Sequence, residues 1–144
     1  MTHVQRSALL PYSVTQMYQL VNDVDAYPEF IPWCVKCEVH NEDEDHKQAT
    51  MHFASRGIQA SVTTKNELVN DEKITMKLVN GPFKHLIGNW EFHKIDTDAC
   101  RVELDMEFAF TNRLYEATLG PIFNQVTNKL VSAFAQRAED LYGK

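Results

Sequence analysis

The sequence predicts a single α+β domain, residues 1–144, in which a curved antiparallel sheet of about seven strands grips one long C-terminal helix. Three observations carry this reading. From Val35 to Phe110 apolar and polar residues alternate with period two, the mark of strands with one buried and one wet face. From Leu119 to Leu141 apolar residues recur at helical spacing instead. With 144 residues, 24% of them charged and 44% hydrophobic, and no shift in composition, there is room for one core.

Thr2 to Leu10 reads as the first strand, with Val4, Ala8 and Leu10 as its apolar members, and Pro11 ends it. Ser13 is a good helix N-cap, because its hydroxyl can accept from an otherwise unpaired amide, and Gln16 three residues later completes a capping box. Val14, Met17, Tyr18 and Val21 follow at the spacing of a short amphipathic helix. Pro28 and Pro32 are expected to bound any second helix. Strand pattern then runs through Ala49–Phe53, Ile58–Val62, Ile74–Leu78 and Val102–Phe110. The polar clusters Asn41–Asp45, Arg56-Gly57, Asn70–Glu72, Asn80-Gly81-Pro82 and Asp96–Asp98 fall between the runs, as a meander of hairpins requires. Leu119, Ile122, Phe123, Val126, Leu130, Phe134, Ala138 and Leu141 form the stripe of the last helix. Pro121 is expected in its first turn or at a kink. One helix cannot fill a strongly curved sheet, so a cavity is expected between them.

Net charge is −6, which opposes bulk binding to DNA or RNA, since such binders present a basic stripe to phosphates. Met1 to Leu10 has no continuous apolar core of the signal-peptide kind. The apolar runs fall well short of the ~20 residues that span a bilayer, so a cytoplasmic, non-spanning protein is expected. Three cysteines, with no export signal, do not suggest a disulfide framework.

Trp33-Cys34-Val35-Lys36-Cys37 has the spacing of a redox motif, but it enters a strand and lacks the surrounding βαβ unit, so incidental cysteines are expected. Cys100 has no paired ligand at zinc spacing. The histidines are scattered: His85 and His93 lie too far apart to chelate one ion, and His52 has no partner evident from sequence. Asn41–Asp45 lacks the alternating ligands, glycine and closing glutamate of a calcium loop. Phosphate loops, nucleophile elbows and helix-borne zinc motifs are all missing from the sequence. No catalytic residue, metal or required cofactor is therefore expected.

The inner sheet face offers more. Thr64 and Asn66 continue the series of Ile58, Ala60 and Val62, and a buried amide or hydroxyl needs a partner, either internal or on a ligand. Trp90 and Phe92, with Phe108 and Phe110, are expected on the same face, opposite Phe123 and Leu130 of the helix. Lys84 precedes Trp90 from a turn, in reach of a polar head at the pocket mouth. Candidate ligand-binding residues are thus Val62, Thr64, Asn66, Lys84, Trp90, Phe92, Phe108, Phe123 and Leu130.

Several blocks also carry a resemblance. They are Leu10-Pro11-Tyr12-Ser13, Gln16-Met17-Tyr18 with Leu20–Val24, Tyr27-Pro28 with Phe30, Pro32 and Cys34, Gly81–Lys84 followed by Leu86-Ile87-Gly88, Trp90 and Phe92, and Phe108 with Phe110-Thr111-Asn112. Along essentially the whole chain the sequence resembles the ribosome association toxins, which belong with the coenzyme Q-binding proteins in the START-like and polyketide-cyclase superfamily of helix-grip domains. That resemblance implies a polyprenyl quinone such as ubiquinone as the ligand, a supporting role in respiration, and contact with the periphery of the inner membrane during exchange. It equally implies the toxin of a toxin–antitoxin pair that binds the large ribosomal subunit and blocks joining of the small one. Lys65, Lys73 and Lys77, on the wet face, are the expected ribosome contacts. A cyclase-like enzyme is the third expectation. Two departures stand out: Cys37, and Lys65 where the pattern has Arg, a change that matters at any planar, bidentate contact.

Overall fold

The computed structural model describes residues 1–143, which form β1 (Thr2–Leu10), α1 (Val14–Asn22), a 3-10 helix (Val24–Glu29), β2 (Cys34–Glu42), β3 (His46–Ser55), β4 (Ile58–Val69), β5 (Lys73–Asn80), β6 (Phe83–Asp96), β7 (Ala99–Phe110) and α2 (Arg113–Tyr142). The strands make one antiparallel sheet in the order β1-β7-β6-β5-β4-β3-β2. Only β1 is out of sequence order, and it closes the sheet against β7, with Thr2 opposite Phe108 and Leu10 opposite Cys100. The expected helix-grip architecture is present.

Local signals behave as the sequence indicates at the start of α1. The Gln16 amide donates to Ser13 Oγ (3.1 Å), and the Ser13 amide donates back to Gln16 Oε1 (3.0 Å). Its apolar face, Met17, Tyr18, Leu20 and Val21, is buried. Lys47, 5% exposed, holds the other end, donating from Nζ to the Asn22 carbonyl (2.6 Å) while pairing with Glu42 (3.0 Å). A cation at those unpaired carbonyls complements the helix dipole.

The prolines depart from expectation. Pro28 lies inside the 3-10 helix, near its end, rather than bounding it. Pro121 lies well inside α2, which runs unbroken for 30 residues. Proline removes one helical hydrogen bond, that to the carbonyl of Ala117. Both residues are exposed, so water can serve that carbonyl. Leu141 also leaves the expected stripe, at 52% exposure.

The core is set by aromatic contacts on two turns of α2 that face the sheet. Phe134 meets Tyr27 (5.4 Å between centroids), Phe30 (5.2 Å) and Trp90 (5.3 Å), all near edge-to-face. Phe123 meets Phe53 and Phe83, each at 5.1 Å. Edge-to-face pairs add roughly 0.5–1.5 kcal/mol each beyond area burial. Arg137 fastens the outside of the first cluster, donating to Glu29 (2.8 Å) and lying over the Phe30 ring (5.0 Å).

Replacing Phe134 by Ala removes one ring from three such pairs at a site 1% exposed. The expected cost is about 3–5 kcal/mol, read as a fall in the urea midpoint. A cost below that of an ordinary surface substitution would contradict this assignment.

Candidate functional site

Phe123 and Phe134 are three helical turns apart, about 16 Å along α2, and both point at the sheet. Between them the helix presents Val126, Thr127 and Leu130, too small to fill the concavity, and a cavity of about 60 Å³ remains. Val62, Thr64, Trp90, Phe108, Phe123 and Leu130 line it as the sequence indicates. Met51, Met76 and Met106 line it too, though no sequence signal marks them apart from their inward register. Unbranched methionine adapts to irregular space. Gly88 deepens that effect: a Cβ there would stand 2.7 Å from Met76 Cε and 3.1 Å from Met106 Cε, so the glycine lets both side chains cross over β6.

Three candidates fall elsewhere. Asn66 is 5% exposed but lies behind the wall, where its Oδ1 accepts from Thr64 Oγ1 (2.9 Å). Phe92 is on the inner face but under α1, edge-on to Tyr18 (5.6 Å), where that helix already fills the space. Lys84 belongs to β6 rather than to a turn. The register slips between Phe83 and His85, making Lys84 the extra residue of a bulge, and it is turned out to solvent.

The polar groups on the cavity wall are occupied. Thr127 Oγ1 donates to the Phe123 carbonyl (2.7 Å), Thr64 Oγ1 to Asn66, and Tyr27 Oη to the Val21 carbonyl. Burial, then the nearby Cys37 and Cys34 thiols, push the Tyr27 phenol well above its ordinary pKa, so it remains a donor. These hydroxyls have lone pairs to offer but have committed their protons. The wall therefore suits a hydrocarbon tail better than a group that needs donors.

The outer face is of mixed sign. Lys65 stands directly opposite Lys77, and Lys77 pairs with Glu67 (3.0 Å), whose carboxyl that ammonium holds below its ordinary range. Lys73 stands opposite Glu91. His52, unpaired in the sequence reading, bridges Glu38 and Ser61, each at 2.7 Å. Glu91, His93 and Glu103 bring ligand atoms within 4.8 Å of one another, but Arg101 (2.9 Å) and His93 (3.0 Å) already pair with Glu103. The three lysines thus share their face with carboxylates.

Charge separates along the strands instead. Antiparallel order puts the β2–β3, β4–β5 and β6–β7 turns at one end, with Asp43, Glu44, Asp45, Asp71, Glu72, Asp96 and Asp98. The opposite end, segments 55–60, 79–85 and 108–118, has Arg56, Lys84 and Arg113 against one carboxylate, Glu116 in the first turn of α2. The Thr111 amide, donating to the Pro82 carbonyl (3.0 Å), ties two of these segments together. A surface depression shared by Arg56, Thr118 and Ile122 brings the third against α2. Arg113 to Thr118, the first turns of α2, are exposed there.

A curved sheet closed over an apolar cavity by one long helix defines a helix-grip, hydrophobic-pocket protein. Residues 10–135 match the family described as polyketide cyclase / dehydrase and lipid transport, and the chain belongs to that family. It is 46% identical over 142 residues, 99% of each chain, to the ribosome association toxin RatA of Pseudomonas aeruginosa. More distantly, it is 25% identical over 142 residues to the mitochondrial coenzyme Q-binding protein COQ10 homolog B of Xenopus laevis, covering 96% of this chain and 58% of that one. The Zhui aromatase/cyclase from Streptomyces shares the fold, with TM-score 0.83 and 16% identity over 96% of this chain and 93% of that one.

Thr64→Val strips the Asn66 amide oxygen of its buried partner and is expected to cost roughly 1–3 kcal/mol in urea denaturation. Thr64→Val combined with Asn66→Leu, which removes both members, should recover most of that loss. No recovery would show that the pair is not what fixes these residues.

Proposed function

We propose that this chain acts on ribosomes, binding the large subunit and blocking its association with the small one, as the toxin of a toxin–antitoxin pair. The full-length likeness to RatA carries this reading. The charge separation supports it, because that end offers phosphates Arg56, Lys84 and Arg113 against a single carboxylate, Glu116. Lys65, Lys73 and Lys77 remain a secondary candidate, weakened by their acidic neighbours. Sucrose gradients of purified subunits allowed to join with and without the protein test the proposal. Joined ribosomes should fall and free subunits rise. Arg56→Glu with Arg113→Glu should weaken the effect at least about tenfold, and added salt should weaken it further. An unchanged pool of joined ribosomes would overturn the proposal.

A second reading is favoured by the cavity itself. Here the chain holds a hydrophobic small molecule, of the polyprenyl quinone class named in its COQ10 relative, and supports respiration. At about 60 Å³ the cavity holds no such ligand as it stands, so entry requires the methionines and Leu130 to move. Each buried methylene of a tail contributes about 0.8 kcal/mol, whereas the committed hydroxyls give the head little to bind. Extraction of purified protein and mass spectrometry of its lipids tests this. A co-purifying isoprenoid lipid is expected, and Leu130→Trp, which fills the cavity, should abolish it. Absence of lipid together with no uptake of added ubiquinone would exclude the reading.

Both readings make the chain a cytoplasmic binding protein rather than an enzyme, meeting the inner membrane only to exchange ligand. The cavity wall, with Thr64, Thr127 and Tyr27 as its polar members, supplies no pair of carboxylates or histidines for acid–base chemistry. That supports the distinction from the cyclases whose fold it shares. Among the described residues no helix is long and apolar enough to cross a membrane.

A further inference from the structure

Cys34 and Cys37, expected from the sequence to be incidental, lie in contact at an irregularity of β2. In a regular strand residues three apart point to opposite faces. Here the register of β2 against β3 slips between Cys34, opposite Phe53, and Lys36, opposite His52, so that Cys37 stands opposite Met51. Val35 is the extra residue of a bulge, and the slip turns both thiols to the same side. Their sulfurs lie 3.4 Å apart, facing two residues of the cavity wall. The bulge is on an edge strand, with no further strand hydrogen-bonded on its other side. Trp33, just before it, has φ of 62°, a left-handed conformation costly for a bulky residue, and its carbonyl is fixed by the Ala54 amide (3.0 Å).

The two thiols are unequal in access and in acidity. Cys34 is 5% exposed and Cys37 is half-buried. The hydrogen bond from Cys37, and then the Lys36 amide, hold the Cys34 thiol below its ordinary pKa. The same bond raises that of Cys37. Cys100, fully buried on β7 and pushed up by burial, has no partner thiol among the described residues and serves as an internal control.

We propose that Cys34 and Cys37 form a reversible dithiol–disulfide pair that exchanges with low-molecular-weight disulfides such as oxidised glutathione. The accessible Cys37 sulfur gives up its proton to solvent, attacks the small disulfide and expels one glutathione thiolate, which takes up a proton. Cys34 Sγ, already in contact, then gives up its proton to solvent and attacks Cys37 Sγ. The Cys34–Cys37 bond forms, the Cys37–glutathione bond breaks, and the second glutathione leaves as thiolate to take up a proton. In total two protein thiols are oxidised and one glutathione disulfide is reduced to two thiols. The crosslink pins the bulge at the base of the Ile31–Trp33 segment, whose Ile31 lines the cavity. The inference is independent of what the chain binds.

The full chain, equilibrated across ratios of reduced to oxidised glutathione, acid-quenched, unfolded and alkylated, gives the test by intact mass. The expected product is a monomer lighter by two hydrogens that takes one alkyl group, on Cys100, while the reduced chain takes three. Cys34→Ser should accumulate the Cys37–glutathione adduct at least about tenfold above the unmutated chain. Because a substitution can disturb packing, the unmutated chain is also equilibrated in urea. A contact prepared by the fold makes the folded chain oxidise with an equilibrium constant more than about tenfold above the unfolded one. Three free thiols at every ratio, disulfide-linked dimers, an unresolved adduct on the unmutated chain, or equal constants folded and unfolded would each overturn the proposal.

Discussion

Everything in this molecule that resembles a site depends on how α2 is held over the sheet. Phe123 and Phe134 act as two posts: Phe123 meets Phe53, Phe83 and Phe110 of the sheet, and Phe134 meets Trp90 of the sheet with Tyr27 and Phe30 from the segment after α1. Rings of that size set the separation of helix and sheet at both points. The smaller side chains between the posts cannot reach across, so a gap persists although packing elsewhere is close. Removing a post would let the helix settle, and the cavity would be lost with it.

The sequence made the sheet, the long helix and the capping box legible, because each rests on local rules: period two, period 3.6, and an oxygen at an unpaired amide. It was a weaker guide where two elements compete for one space. Phe92 has the alternation of a wall residue, yet α1 packs against it and the cavity ends at Trp90. Lys84 was misplaced, and the Cys34–Cys37 contact was not visible, for a different reason. Lys84 is itself the inserted residue of a bulge and Cys37 follows one, and an inserted residue reverses the facing of what comes after it. Bulges leave no mark in alternation strong enough to read from one sequence. The methionines around Gly88 were invisible as a set, since their meeting point is defined by cross-strand register rather than spacing.

The surface shows the same contrast between local and global order. Residue by residue, the wet face alternates Lys with Glu and carries little net sign. The turns are sorted by the direction of the strands, and this sorts their charge: acidic at one end, basic at the other. A chain of net charge −6 can therefore present a cationic end to an anionic partner while its acidic end is held away. That cationic end also bears the exposed first turns of α2, which lead directly to the Phe123 post.

The central claim, that two aromatic posts keep an apolar gap between α2 and the sheet, is tested most directly by a crystal structure under xenon pressure. Xenon needs no hydrogen-bond partner and enters apolar cavities. The account predicts one xenon site between Phe123 and Phe134, against Met76 and Met106, in the unmutated chain, and none there in Leu130→Trp. No xenon at that position in the unmutated chain, with the helix packed directly on the sheet, would contradict it.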